Sequence, residues 1–475
     1  MSQEKRVAGS LPRATSSLPQ PAIGLREAIA LIVGIVVGAG IFKAPSMVAA
    51  MTGNPVWMFG AWLLGGLISL AGALCYAELA TAYAHTGGDY HFLRRAYGRS
   101  VAFLFAWARF SVITTGSIAL LAFVFGDYMN AIWPLGGVGT LSGSTLYALL
   151  AILVLSAINM RSTRSGTFTQ TWLTAFEVGG LLVIVGAAIY LAGRGIDPAT
   201  VSTSGGSDGP PGAAGFGMAM VFVLLTYGGW NEAAYISAEL KNGRRDMVKA
   251  LVWSIIIITV LYLMVTWAYW RGLGIEGMAQ SQAMAADVFG IAFGPAAGAV
   301  ISLMVAVAAL TSMNATMIVG ARTNHALGQD WHGLAALARW DGERDAPLNA
   351  LRVQSAAALL LVLVGAWTGA GFRAMVEFTA PVFWLFFLLV GISLFVLRVR
   401  EPQHERPFRV PLYPLLPLLF CMMCAYMLWS SLSYVYSQRL GGLNAAWIGV
   451  AVLAIGMVLL LLMLARHARR EHGAM

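Results

Sequence analysis

Two apolar runs of the sequence are interrupted by glycines, and both interruptions could bind a charged ligand. The first run contains Gly34, Gly38 and Gly40, and the sixth contains Gly228 and Gly229. A break in a helix leaves backbone N–H groups without partners at the start of the second half, and C=O groups at the end of the first half. The N–H groups favour an anion and the C=O groups favour a cation. A ligand that carries a carboxylate beside an ammonium group would match both ends.

The composition places these runs in a lipid bilayer. Hydrophobic residues make up 59% of the 475 residues, charged residues make up 11%, and the mean hydropathy is +0.74. Soluble domains contain about 25% charged residues. The 11% of charged residues in this chain is too small a share to cover the surface of a water-soluble particle of this size. The sequence therefore predicts a membrane protein whose outer surface faces hydrocarbon.

Apolar runs close to the length of a membrane span recur through the chain. We predict twelve spans at about 24–50, 56–80, 100–128, 143–159, 171–192, 212–238, 248–270, 291–323, 350–369, 374–398, 411–435 and 444–465. Helices are expected because each satisfies its own backbone hydrogen bonds in lipid. The predicted fold class is all-α, with one transmembrane domain over 23–466. A disordered cytoplasmic tail is expected over 1–22 and a second cytoplasmic tail over 467–475.

The placement of basic residues predicts the orientation. When the amino terminus is put in the cytoplasm, 24 of the 30 Lys and Arg fall on that side and 4 on the other. The remaining two, Lys43 and Arg109, fall inside spans. Membrane proteins carry an excess of Lys and Arg in their cytoplasmic loops. The distribution predicts an even number of helices and two cytoplasmic termini, and it explains the formal charge of +9 without nucleic-acid binding.

The two glycine interruptions lie five spans apart, at corresponding positions of two five-helix halves. With an odd number of helices in each half, the halves must have inverted topology. Paired broken helices in inverted repeats are the best sequence pointer to a transport site at the membrane midplane. Helix packing is the alternative role for the glycines, since the chain has 53 of them. The match between the two interruptions favours a site.

Several short motifs resemble the amino acid–polyamine–organocation superfamily, and they are closest to its L-type amino acid transporter branch. They are GAGIF at 38–42, YAEL at 76–79 with GGDY at 87–90, YGGWN at 227–231 and RPFRVPLYP at 406–414. Their order and spacing make the combination specific. The resemblance implies the leucine-transporter fold, with five-helix inverted repeats at about 24–192 and 212–398. Two extra helices at about 411–465 would follow.

The resemblance also implies a function and a site. It implies secondary active transport of amino acids across the cell membrane by alternating access, as an exchanger or a proton symporter. The substrate carboxylate would meet backbone N–H groups of 38–40. The ammonium group would meet carbonyls near Val36, Leu225 and Gly228. The predicted substrate-binding residues are Val36, Gly38, Ala39, Gly40, Ile41, Leu225, Tyr227, Gly228 and Asn231. The family often has an aromatic gate where Leu225 stands, so a preference for large neutral substrates is not carried over.

Acidic residues in the spans are candidates for coupling, because an ionisable group at bilayer depth costs at least about 2.5 kcal/mol. Glu177 stands in the fifth run, where the L-type branch is expected to have a lysine in place of a bound sodium ion. It is either a proton carrier or a permanently protonated structural residue. Thr311 is the nearest hydroxyl to Ala308, which aligns with a serine of the family. Glu232 follows the second break. We predict coupling or gating roles for Glu177, Thr311 and Glu232.

Other charged residues receive more local interpretations. Lys43 either extends toward the outer surface or neutralises an acid. Asp127 is expected to be solvated at the outer end of the third span. Glu78 is expected to pair with a loop arginine near the cytoplasm or to act in a gate. The sequence offers Arg109 no evident partner.

The remaining patterns disfavour other functions. The seven histidines show no metal or haem spacing within a span, so no metal and no cofactor are expected. No cysteine falls in a predicted outer loop, which gives no support to a disulfide-linked subunit. A membrane-embedded enzyme would require a cluster of nucleophilic residues at one depth, and the sequence has none. An amine or polyamine carrier on the same fold is the main alternative, and it predicts further acids facing the site, for which Glu232 is the candidate. The expected partners are an amino acid substrate, the bilayer and, for symport, protons.

Overall fold

The computed structural model describes eleven stretches of the chain. They are residues 24–83, 85, 88–139, 141–161, 167–194, 211–231, 243–341, 346–367, 369, 371–437 and 445–472. Within them every regular element is a helix, apart from two isolated bridges, Val138 with Leu141 and Asp341 with Ala346. This confirms the predicted all-α fold class. The predicted tail at 1–22 lies outside the described residues, and the last helix continues through most of the predicted tail at 467–475.

Nine helices in the described part of the chain are long and apolar enough to cross a membrane. They are α3 (Pro55–Ala82), α5 (Arg99–Ala108) continuing through a π-turn (Arg109–Ile113) into α6 (Thr114–Ile132), α7 (Gly143–Arg161), α10 (Gly243–Gln280), α12 (Pro295–Asp330), α13 (Leu348–Trp367), α14 (Gly371–Arg400), α15 (Leu415–Ser437) and α16 (Ala445–His472). The protein is therefore a multi-pass membrane protein.

Three further segments occupy the first, fifth and sixth predicted spans. The first is α1 (Leu25–Val36), a short 3-10 helix (Ala39–Phe42) and α2 (Ala44–Thr52). The fifth is α8 (Thr167–Gly193), and the sixth begins with α9 (Ala213–Thr226). The first segment is interrupted and α9 ends at the second glycine pair, which agrees with the predicted breaks. Each break lies in the first segment of its half, as the predicted arrangement of five plus five helices requires.

Three helices were not predicted as elements. α4 (Gly88–Tyr97) lies between the second and third spans, α11 (Met284–Phe293) precedes α12, and a 3-10 helix (His332–Ala338) follows it. α4 is polar and α11 is short, so a search for long apolar runs passes over both. The predicted start of α15 at 411 was also too early. Prolines at 411 and 414 and a positive φ of 52° at Leu412 delay the helix until Leu415.

A buried carboxylate joins the end of α3 to the end of α14 and the loop that follows. Glu78 is 2% exposed and accepts hydrogen bonds from Arg398 Nε at 2.7 Å and from the Val410 backbone N–H at 2.7 Å. Arg406 Nε lies 3.7 Å from Glu78 Oε1, the same oxygen that accepts from Arg398 Nε. The expected pairing of Glu78 with nearby arginines is confirmed. Two of the sequence motifs, at 76–79 and 406–414, thus meet in one ion-pair network.

We expect Glu78→Gln to destabilise the fold by about 3 kcal/mol, because it leaves buried basic groups without a counter-charge. The measurement is the thermal unfolding midpoint of the purified protein in detergent. Glu401→Gln is the matched control, since the Arg95–Glu401 pair is 39% and 27% exposed. Such surface pairs contribute about 0–1 kcal/mol. Equal shifts in the two variants would contradict the structural role of Glu78.

Candidate functional site

The first break presents unpaired N–H groups at the start of a short helix. α1 ends at Val36, Gly38 is extended, and the 3-10 helix over 39–42 begins without a side-chain cap. In a 3-10 helix each N–H group bonds to the carbonyl three residues earlier, so the N–H groups of Ala39 and Gly40 have no acceptor within this helix. The Gly38 N–H group, however, donates to Val36 O at 2.9 Å. Of the predicted N–H set at 38–40, the groups of Ala39 and Gly40 therefore remain available, because the Gly38 N–H group closes the end of α1.

The second break lies directly against the first. α9 ends at Thr226. Gly229 has a φ of +109°, a backbone conformation that residues other than glycine rarely adopt. A Cβ atom on Gly229 would lie 3.2 Å from Ile35 O and 3.1 Å from Ile35 Cγ2. Only glycine lets the two breaks approach this closely. The paired glycines therefore bring the two sets of helix ends into one place.

Tyr262 of α10 bridges the two breaks. Its side chain is fully buried, and its hydroxyl oxygen lies 3.0 Å from Val36 O and 3.0 Å from Thr226 O. A phenol hydroxyl carries one proton, so it can donate to only one of these carbonyls at a time. The pair of carbonyls therefore has capacity for another donor. No local pattern in the sequence marks this residue, because Tyr262 lies in an ordinary apolar run.

Both breaks line one cavity of about 450 Å³. Seven of the nine predicted substrate-binding residues surround it: Val36, Gly38, Ala39, Gly40, Leu225, Gly228 and Asn231. Other walls come from α12 with Ser312 and Thr316, from the third span with Arg109 and Ser117, and from aromatic residues of α14. Contact of these residues with a substrate stays a prediction. The sequence-based set is nevertheless brought together around a single space.

Two predicted binding residues point away from the cavity. The Ile41 side chain is fully buried in the core, and only its backbone belongs to the first turn of the 3-10 helix. The Tyr227 hydroxyl donates to Trp62 O at 3.1 Å, and its ring packs against Tyr262. The chain turns immediately after Thr226, which directs the Tyr227 ring toward α3. The Tyr227 side chain is therefore directed away from the cavity, and its contact with a substrate stays a prediction.

The predicted coupling residues have different placements. Glu177 is 4% exposed on α8 and lies within electrostatic range of Tyr262. The Thr311 hydroxyl donates to Val307 O at 2.9 Å, within its own helix. The α12 hydroxyl that faces the first break is Ser312, whose Oγ would lie 3.9 Å from a Cβ on Gly38. Glu232 lies outside the described residues.

Two basic residues inside spans acquire definite positions. Arg109 opens the π-turn of the third span and lines the cavity. Its occurrence in an apolar run was the available signal for this position. Lys43 is 2% exposed and forms an ion pair with Asp127, with Nζ 2.6 Å from Oδ2. The acid-neutralising interpretation of Lys43 is confirmed, and the expectation of a solvated Asp127 was wrong.

The cavity is closed at one end. Phe222 of α9 and Phe372 of α14 line it on the side of α2, and they are 1% and 5% exposed. Their rings stack with centroids 6.3 Å apart. At the side of α1, Ile35 lines the cavity and is 38% exposed. The site is therefore more accessible from the side on which α1 begins, which is the predicted cytoplasmic side.

A bundle of membrane-crossing helices whose two broken helices face one central cavity is the architecture of a secondary transporter. The chain belongs to the amino acid permease family, because the family model with that description matches residues 23–460. This confirms the superfamily indicated by the motifs.

Individual relatives agree with this membership. The chain is 29% identical to b(0,+)-type amino acid transporter 1 of Mus musculus over 87% of this chain and 83% of that protein. It is 28% identical to the serine/threonine exchanger SteT of Bacillus subtilis, over 84% of this chain and 88% of that protein. It is 26% identical to large neutral amino acids transporter small subunit 2 of Mus musculus, over 86% of this chain and 76% of that protein.

Proposed function

We propose that this protein moves amino acids across the cell membrane by exchange, with alternating access to the cavity. One observation carries the proposal: unpaired N–H groups and under-supplied carbonyls face the same space at the two breaks. Relatives described as amino acid transporters and as an exchanger support the ligand class. The expected orientation has both termini in the cytoplasm.

The α-carboxylate binds to the N–H groups of Ala39 and Gly40, at the positive end of the 3-10 helix and α2. The α-ammonium binds to the carbonyls of Val36 and Thr226, which share the one proton of Tyr262. Both groups of an amino acid lie on one carbon atom, so a ligand with only one of them would leave half of the site unsatisfied. The side chain then extends toward the walls formed by α6, α12 and α14.

Alternating access follows from the position of the breaks. The described cavity is closed by Phe222 and Phe372 and is more accessible beside Ile35. Movement of the first and sixth segments relative to the other helices would close the predicted cytoplasmic side and open the other. The glycines at the two breaks are the points at which the half-helices change direction.

Counterflow in proteoliposomes tests the proposal. Each vesicle batch holds one unlabelled amino acid or amine at high concentration, and the entry of its labelled form is timed. Transient accumulation is expected for one or more amino acids, and not for amines that lack a carboxylate. Accumulation of amines alone would identify the amine carrier instead. If no labelled amino acid or amine accumulates in vesicles that contain folded protein, transport of this ligand class is rejected.

Proton symport is a second candidate, and the observation that favours it is the buried carboxyl of Glu177 within electrostatic range of Tyr262. A carboxyl group in an apolar site can exchange its proton near neutral pH. Glu177 lies within electrostatic range of the residue that bridges both breaks, which links its protonation to the state of the site. His91 of α4 does not titrate in this range, because burial, together with His85, lowers its pKa to about 4.

We expect wild-type uptake to rise when the outside is made more acidic than the inside, because a proton on Glu177 enters with the substrate. Glu177→Gln should remove this pH dependence and keep counterflow at equal pH. The measurement is the initial uptake rate against external pH in proteoliposomes. Glu401→Gln, an acid outside the membrane-spanning helices, should retain the wild-type profile. An unchanged profile in Glu177→Gln would rule out a carrier role and leave exchange alone.

A further inference from the structure

The ammonium group of Lys43 has three oxygen partners on two other parts of the molecule. Nζ lies 2.6 Å from Asp127 Oδ2, 2.7 Å from Gln282 Oε1 and 2.9 Å from Gln282 O. A lysine ammonium has three N–H donors, so each donor has an acceptor. Lys43 stands between the 3-10 helix and α2, which makes it the junction of the broken first segment.

The partners fix this junction from two directions. Asp127 belongs to α6, and it also accepts a short hydrogen bond from Ser144 of α7. Gln282 belongs to the connection between α10 and α11. A second contact follows one helical turn later, where Ser46 Oγ donates to Ser281 O at 3.2 Å. Ser281 in turn donates to Asp287 Oδ2 at 2.6 Å.

These contacts lie immediately beyond the closed end of the cavity. The cavity lining in the first segment ends at Gly40, three residues before Lys43. Between them, Phe42 O accepts a hydrogen bond from Tyr128 of α6 at 2.9 Å, and Phe42 is 1% exposed. On its cavity side, the junction at Lys43 therefore holds the 3-10 helix that carries the free N–H groups. On its other side, the junction closes the outer end of the cavity.

We propose that Lys43 is a positioning residue that latches the outer half of the first segment against α6 and the α10–α11 connection, and so holds the outer pathway closed. The inference rests on the alternating access of the proposed function. An isolated ammonium group is strongly disfavoured in an apolar interior, so Lys43 separates from Asp127 and Gln282 only when water or new partners reach it. Outer opening brings that water. The ion pair therefore biases the empty carrier toward the state accessible from the cytoplasmic side.

A neutral double variant separates this role from a purely structural one. Lys43→Met alone leaves the Asp127 carboxylate without its counter-charge and is expected to lower the thermal unfolding midpoint. Lys43→Met with Asp127→Asn removes both charges, and the midpoint should return toward that of the wild type. The latch is still absent in the double variant. A structural role therefore predicts recovery of every property, whereas the latch predicts recovery of stability only.

Thiol accessibility gives a readout that does not depend on the substrate. Phe372→Cys is introduced at the closed end of the cavity, in a background in which Cys75, Cys421 and Cys424 are replaced by alanine. In intact cells, labelling by a membrane-impermeant maleimide from outside should be slow, and the double variant should accelerate it by about tenfold or more. Trp133→Cys, which is 72% exposed at the wild-type position, controls for reagent and expression.

Kinetics in oriented proteoliposomes provide the second readout. The double variant should lower the external apparent KM and raise the internal apparent KM, each by about tenfold, because the outward-accessible fraction increases. Wild-type labelling rates and KM values in the stable double variant would overturn the latch. Accelerated labelling without transport of any amino acid would support the latch and reject the proposed ligand instead.

Discussion

Gly40→Ala is expected to reduce counterflow by about 100-fold or more while the protein stays folded. A Cβ atom on Gly40 would lie 3.5 Å from Thr226 Cγ2 and 3.5 Å from Thr226 Oγ1, which is ordinary van der Waals contact. The empty protein can therefore accommodate the methyl group. A bound carboxylate cannot approach the N–H groups of Ala39 and Gly40 past it, and misplacement by about 1 Å can cost that factor.

The measurement pairs the initial counterflow rate with the thermal unfolding midpoint in detergent. Gly60→Ala is the matched control, because a Cβ atom on Gly60 of α3 meets no atom within 4 Å and Gly60 is remote from the cavity lining. Gly60→Ala should retain both rate and midpoint. Wild-type counterflow in Gly40→Ala would show that the carboxylate binds elsewhere. A markedly lower thermal unfolding midpoint of Gly40→Ala would show that the glycine is needed for packing.

Tyr262→Phe is expected to lower counterflow by about 10- to 100-fold and stability by about 1–3 kcal/mol. The change removes the one donor that the Val36 and Thr226 carbonyls share, and a buried acceptor without a partner costs about this free energy. It also removes the link between the two broken segments, whose relative position defines the site. The loss of transport should therefore exceed what the stability change alone would produce.

Tyr269→Phe provides a stringent control for this variant. Tyr269 lies on the same helix and is also fully buried, but its hydroxyl has no hydrogen-bond partner among the described residues. Removing it should leave counterflow unchanged and should not destabilise the protein. Similar losses in both variants would mean that a buried phenol on α10 matters for packing rather than for bridging the breaks.

The lengths of the apolar runs, and the glycines that interrupt two of them, were enough to predict the spans and the two breaks. Both signals are local: a helix in lipid requires a long apolar run, and a broken one requires residues that allow the break. The resemblance to the superfamily, rather than these signals, supplied the nine predicted binding residues, of which seven line the cavity. α4 was missed because its short, polar sequence carries no such run.

Side-chain directions could not be predicted to the same standard. Adjacent residues of a helix point about 100° apart, so Thr311, chosen for its nearness to Ala308 along the chain, points away from the first break while Ser312 faces it. The partners of Lys43 and Tyr262 are non-local. Gln282 lies 239 residues from Lys43 along the chain, and no local pattern specifies that contact. Hydrogen bonding at the ends of α1 likewise decided which N–H groups remained free.

The shared proton at Tyr262 gives the empty protein a local frustration. Native contacts in most of a fold support each other, whereas here two carbonyls compete for one phenol proton, and among the described residues only Val36 O has a second donor, the Gly38 N–H group. A ligand ammonium resolves this competition by supplying protons of its own. The occupied carrier should then have a higher unfolding midpoint, by the usual logarithmic dependence on ligand concentration. Thermal shift thus becomes a substrate screen that needs no membrane, and Tyr262→Phe should change the size of its response.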